Sequence, residues 1–174
     1  MKKNLLTLSL TTIMLSGMIN TASAASVTFT GKVSGNTCNV DINGTGSDTG
    51  DVDMGAIPVN VLAADGMYGG TSAPVAFTLA LTHCAHRTNG YSINFGGIAS
   101  GDRFAAPAAM GGSVFYEIKD AAGNNIKANE NISTGMSATD SSKSMDFTVN
   151  LIALNQFINQ GSFNMPTVVN IVYN

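Results

Sequence analysis

From Val75 to Leu81 the side chains Val75, Phe77, Leu79 and Leu81 stand at every second position without a break. A period of two gathers them on one face of an extended chain, whereas a helix would scatter them around its axis. The same alternation returns in "GYSINFGG" with Tyr91, Ile93 and Phe95, and in "SVFYEIKDAAGNNI" from Val114 to Ile118, which runs into an "AGN" turn and resumes near Ile126. It recurs in "SMDFTVNLIAL" with Met145, Phe147, Val149 and Leu151, and from about Phe163 to Tyr173. Clusters of Gly, Asn, Asp and Ser separate these runs, and no long capped helical period interrupts them. The pattern predicts an all-β sandwich or barrel.

A further strand is expected in "SVTFTGKVSGNTCNVDI", with Val27, Phe29 and Val33 on one parity and a break at Gly35-Asn36. A Gly/Asp loop follows it, and a short extended piece near Val52 to Ile57 suits an edge. "IASGDRFAAPAAMGG" and the polar stretch from Ala128 to Lys143 read as surface loops. That makes six main strands, whereas an immunoglobulin-like sandwich needs seven. Either one strand has escaped the pattern or the last is supplied from elsewhere. A sandwich short of a strand carries a hydrophobic groove and an unpaired sheet edge, a template for another chain.

Residues 1–24 read as a signal peptide: Lys2 and Lys3 precede an apolar run from about Leu5 to Ile19, and Ala22 and Ala24 end it at the spacing a signal peptidase reads. Ser23 and Ala25 offer the same spacing one residue later. The expected organisation is therefore a leader, a segment 25–33 running into the first strand, and a domain over 34–174. Without Lys2 and Lys3 the net charge is about −5, against −3 for the whole sequence, which argues against nucleic acid as a partner. The two cysteines, Cys38 and Cys84, form an even pair in an exported chain and predict one disulfide. The loop of roughly 47 residues that it closes corresponds to about 4 kcal/mol in a chain-entropy account, so the bridge is expected to be needed for folding.

Sites of chemistry are sparse. "HCAHR" brings His83, Cys84 and His86 together, yet zinc needs three or four ligands and a free thiolate, and Cys84 has a disulfide partner in view. Asp48, Asp51 and Asp53 in "DTGDVD" lack the spacing and distal Glu of a helix-loop-helix calcium site and read as a solvated loop. No G-x-S-x-G elbow occurs, both histidines flank Cys84, and the two glutamates are Glu117 and Glu130, with Glu117 expected on the solvent face of its strand. The expectation is a protein that is not an enzyme and has neither cofactor nor metal.

Several local patterns, in order, resemble the pilin subunits of bacterial chaperone/usher fimbriae. "FTGKVSGNTC" stands near the start, the second cysteine closes "PVAFTLALTHC", and "VFYEIKDAAGNNI" fills the middle. Gly161 lies fourteenth from the end, and Tyr173 is next to last. The resemblance implies an incomplete immunoglobulin-like β-sandwich lacking its seventh strand. A periplasmic pilus chaperone would complete it first, and then the N-terminal segment of the next subunit. It implies that Val27, Phe29 and Gly31 belong to the donor strand, although the segment before "VTF" is shorter than in many family members. It implies further that Gly161, Val169, Ile171, Tyr173 and Asn174 belong to the strand that borders the groove, with the Asn174 carboxylate held by basic chaperone residues. The expected partners are that chaperone, an outer-membrane usher, other fimbrial subunits and a host receptor. The expected route runs through the periplasm to the cell surface. The expected function is a structural fimbrial subunit contributing to adhesion. The other reading is a single-domain adhesin, adapter or terminator of such a fibre, disfavoured modestly by the absence of Trp.

Overall fold

The computed structural model describes residues 38–63, 69–86, 89–155 and 158–174, all within the compact unit Ser34–Asn174. In chain order these residues form β1 (Asn39–Ile42), a single helical turn α1 (Val59–Leu62), β2 (Val75–Thr82), β3 (Tyr91–Gly96), β4 (Ala99–Ser100), β5 (Arg103–Ala105), a 3-10 turn (Ala108–Met110), β6 (Val114–Asp120), β7 (Asn125–Ile126), β8 (Ile132–Ser133), β9 (Lys143–Ala153) and β10 (Val168–Tyr173). The larger sheet runs β1-β2-β9-β6-β5-β4, with β7 also on β6, and the smaller runs β10-β3-β8. All the strand pairings are antiparallel.

The register explains the core. Phe77 lies opposite Phe147 and Leu79 opposite Met145 across β2 and β9, while Tyr116 faces Leu151 and Ile118 faces Val149 across β6 and β9. In the smaller sheet Val169 lies opposite Phe95, Ile171 opposite Ile93 and Tyr173 opposite Tyr91. Each alternating apolar set therefore turns inward as one layer, because neighbouring strands in register keep the same parity on the same face. Phe77, Phe95 and Phe147 join the two layers: Phe77 stacks on Phe147 with centroids 5.5 Å apart, and Phe95 meets Phe147 edge-on at 5.2 Å. The Cys38–Cys84 disulfide is formed. It ties the start of β1 to the residues just past β2, the pair that lies at one end of the larger sheet.

Four expectations need correction. The polar stretch from Ala128 to Lys143 is no plain surface loop: it holds β8, which pairs with β3, and it buries Thr134 and Met136. The stretch 98–112 is not a plain surface loop: it holds the β4–β5 hairpin and the 3-10 turn, and it buries Phe104 completely. Phe104 stacks on Tyr116 at 4.9 Å, so one aromatic side chain draws the segment onto the sheet. Glu117 has the outward parity expected of it, yet it is only 5% exposed, because Arg103 and Lys119 close over it with ion pairs of 2.9 and 3.3 Å. The last strand pairs only from Val168, not from Phe163. Pro166 has no N–H to give to a ladder, although the alternation of half-buried and exposed side chains continues back to Phe163. Val27, Phe29 and Gly31 lie outside the described residues.

Candidate functional site

Among the described residues β10 pairs only with β3, so its other edge presents a row of backbone donors and acceptors. A groove lies beside that edge. One wall is the segment 48–54 and the other is 163–169, and Phe77, Phe95, Tyr116, Ile118 and Val149 form its floor. Its volume is about 440 Å³, and a second hollow of about 470 Å³ adjoins it, sharing Val52, Met54 and Phe163 and bounded beyond them by Ile57 and Gly161. Against a water's share of about 30 Å³, this is room for a row of side chains.

Each wall has a local cause. Asp41 Oδ1 accepts from the Gly46 N–H at 2.9 Å, and the Asn43 side-chain oxygen accepts from the Thr78 N–H at 2.9 Å. These bonds fold the Gly/Asp loop back against β2 and set the direction in which 48–54 leaves. Gly50 then passes so close to Ile42 that a Cβ would lie 2.7 Å from its Cγ2. Val52 and Met54 turn toward the core from this wall, as do Phe163, Met165, Val169 and Ile171 from the other. Gly161 ends the second wall at φ +155° with open space around it, so the constraint there is the backbone angle and not crowding.

The groove's polar groups are few. The Tyr116 hydroxyl and Thr167 Oγ1 lie 3.0 Å apart, and burial pushes the Tyr116 hydroxyl above its ordinary value against the opposing pull of that hydrogen bond. Asp48, Asp51 and Asp53 stand along the first wall, and no Lys, Arg or His lines the groove among the described residues. Cys84 is committed to its disulfide, so the His83–Cys84–His86 cluster has no thiolate to offer a metal. The arrangement is suited to holding an extended, alternately apolar segment rather than to catalysis.

Of the residues singled out in the sequence, Gly161, Val169 and Ile171 lie on or beside the groove wall. Tyr173 continues the inward row of β10, its ring edge-on to Tyr91 with centroids 5.5 Å apart. Asn174 closes the strand: its side-chain amide donates to Ser92 Oγ at 2.9 Å. The sequence marks an extended piece near Val52 to Ile57, where Asp51, Val52, Asp53 and Met54 alternate, but it does not mark a site there, because Asp48, Asp51 and Asp53 resemble a solvated loop. Met165 and Thr167 are signalled only by the alternation.

Comparison with solved structures returns pilus proteins. The P pilus rod subunit PapA aligns with a TM-score of 0.60 at 18% identity, covering 86% of this chain and 100% of that one. A chaperone–usher pilus whose structure addresses rod uncoiling aligns at 0.59 and 19% identity, covering 88% and 98%. An antigen and type I fimbria protein of Burkholderia pseudomallei aligns at 0.53 and 18%, covering 79% and 94%. No curated protein sequence matches the chain. These likenesses identify the fold as the incomplete immunoglobulin-like sandwich of pilins, and the model of the family described as "Fimbrial protein" matches residues 27–174, so the chain belongs to the fimbrial protein family.

Proposed function

We propose that this fimbrial subunit polymerises non-covalently by strand donation: residues 25–33 of one copy enter the groove beside β10 of the next. The groove carries the reading, because its apolar floor is core and its one wall is a strand edge. An added strand would both finish the sandwich and hydrogen-bond to β10. On the donor, Val27 and Phe29 share the parity of Ala25 and Gly31, so they face the floor together while main-chain groups pair with the edge. Before assembly a periplasmic chaperone covers the same edge, its basic residues holding the Asn174 carboxylate, and an outer-membrane usher hands the subunit to the growing fibre. The fibre reaches the cell surface and contributes to adhesion.

The test is a fusion of residues 25–33 after Asn174 through a flexible linker. Burying Val27 and Phe29 is worth about 1.5–3 kcal/mol each, and a domain of this size gains about 2–4 °C per kcal/mol, so the melting temperature should rise by about 10 °C. The same fusion carrying Val27→Asp and Phe29→Asp should lose the gain. Equal melting of the fused and unfused chains would exclude strand donation.

A further inference from the structure

The outward face of the smaller sheet carries a line of amides with a direction. The Asn170 side-chain N–H donates to Asn94 Oδ1 at 2.8 Å, and the Asn94 side-chain N–H donates to Asn131 Oδ1 at 2.9 Å. Asn170 lies opposite Asn94 across β10 and β3, and Asn131 stands just before β8. Each amide gives one N–H away from the open edge, and the Asn170 oxygen at the head of the line accepts no hydrogen bond among the described residues, so it is an open acceptor on the exposed face of the strand that has an unpaired side.

Resting on strand donation as proposed above, the occupant of that edge is the 25–33 segment of a second copy. With Ala25, Val27, Phe29 and Gly31 facing the floor, the outward positions are Ser26, Thr28, Thr30 and Lys32. All four can donate a hydrogen bond, which is what the open end of the amide line accepts. We infer that Asn170 is a specificity-determining residue of the groove: its side-chain oxygen accepts a hydrogen bond from an outward hydroxyl of the incoming strand, one of Ser26, Thr28 and Thr30. Directly opposed side chains lie close enough to pair whichever way the donor strand runs, so the match depends on parity. A strand slipped by one residue would set an apolar side chain beside Asn170 and hydroxyls over the floor, and the amide line opposes that slip.

The experiment is a double-mutant cycle on the full mature chain with a second copy of 25–33 fused after Asn174. At low concentration the fused copy fills the groove in preference to other molecules, because the linker keeps it at an effective concentration in the millimolar range. One arm changes the fused copy by Ser26→Ala, Thr28→Val and Thr30→Val, another changes Asn170→Ala, and a third combines them, with unfolding followed in urea. Removing the hydroxyls should lower the folding constant about two- to fivefold beyond any intrinsic effect of Val when Asn170 is present, the size of one cross-strand pair. That coupling should vanish with Asn170→Ala and persist with Asn170→Asp, which keeps an acceptor oxygen. Hydroxyl removal with the same effect in the native background and in the Asn170→Ala background would overturn the inference while leaving strand donation intact. A native fusion that adds no stability would instead remove strand donation, and this inference with it.

Discussion

Glu117 shows how one residue's environment departs from what its position in a strand suggests. Its parity is outward, yet it is buried under Arg103 Nε, which donates to Oε1 at 2.9 Å, and Lys119 Nζ, 3.3 Å from Oε2. Burial by itself would raise its pKa. The hydrogen bonds from Arg103 and Lys119, with the charges of both, outweigh that and leave it below the usual carboxylate range. A depressed folded-state pKa contributes stability that is present above the unfolded value of about 4.3 and is lost as the pH falls through the folded value. Glu117→Gln should therefore melt below the native chain at pH 7. Since both cations keep about a third of their exposure, the cost should be about 1–2 kcal/mol. The gap between the two chains should close below about pH 4, which thermal melts across pH would read. A gap unchanged down to pH 2 would show that the carboxylate's charge contributes nothing.

Among the elements, β9 carries the most, since it pairs with β2 from Lys143 to Val149 and with β6 from Phe147 to Ala153. Phe147 from this strand is the ring that both Phe77 and Phe95 meet, so it joins the two sheets directly beneath the groove. Phe147→Ala should cost about 3–5 kcal/mol, a fall in melting temperature of roughly 10 °C, while Phe147→Leu should cost less than about 1.5 kcal/mol if the layer repacks around it. Urea unfolding of the strand-fused chain measures both. Strands such as β2, β3, β6 and β9 were legible in the sequence because each buries one face and so writes the period of two into its side chains. The hairpin of β4 and β5 was not, because its one buried anchor, Phe104, stands among small, polar and charged residues that show no apolar period. The site was half legible for the same reason: Val169 and Ile171 alternate within β10. The wall at 48–54 is directed by the Asp41 and Asn43 side-chain oxygens, which accept from the backbone N–H groups of Gly46 and Thr78, and such bonds are not written into a hydropathy pattern.

For the whole molecule, the strand donation proposed above requires that two copies meet in the correct orientation. The groove is lined by Asp48, Asp51 and Asp53 and by no cation among the described residues, while the single charged side chain in residues 25–33 is Lys32. Opposite charges on the groove and on the segment proposed to enter it raise the encounter rate more than the final affinity, and salt weakens that attraction once the Debye length falls toward about 3 Å at 1 M. A purely apolar docking responds to salt with the opposite sign, because salting-out anions strengthen burial. Assembly of the purified chain beginning at Ala25, followed by light scattering, should therefore be several-fold faster at low salt than in 0.5 M sodium chloride. Lys32→Glu should slow assembly at low salt and abolish most of the salt dependence. Asp51→Lys should do the same, and the two changes combined should restore much of the rate, since the pair of charges is then reversed rather than removed. A rate that rises with salt in the native chain would mean that this pairing of charges does not steer the encounter, which is then governed by apolar burial and by the screened repulsion between two copies of like net charge.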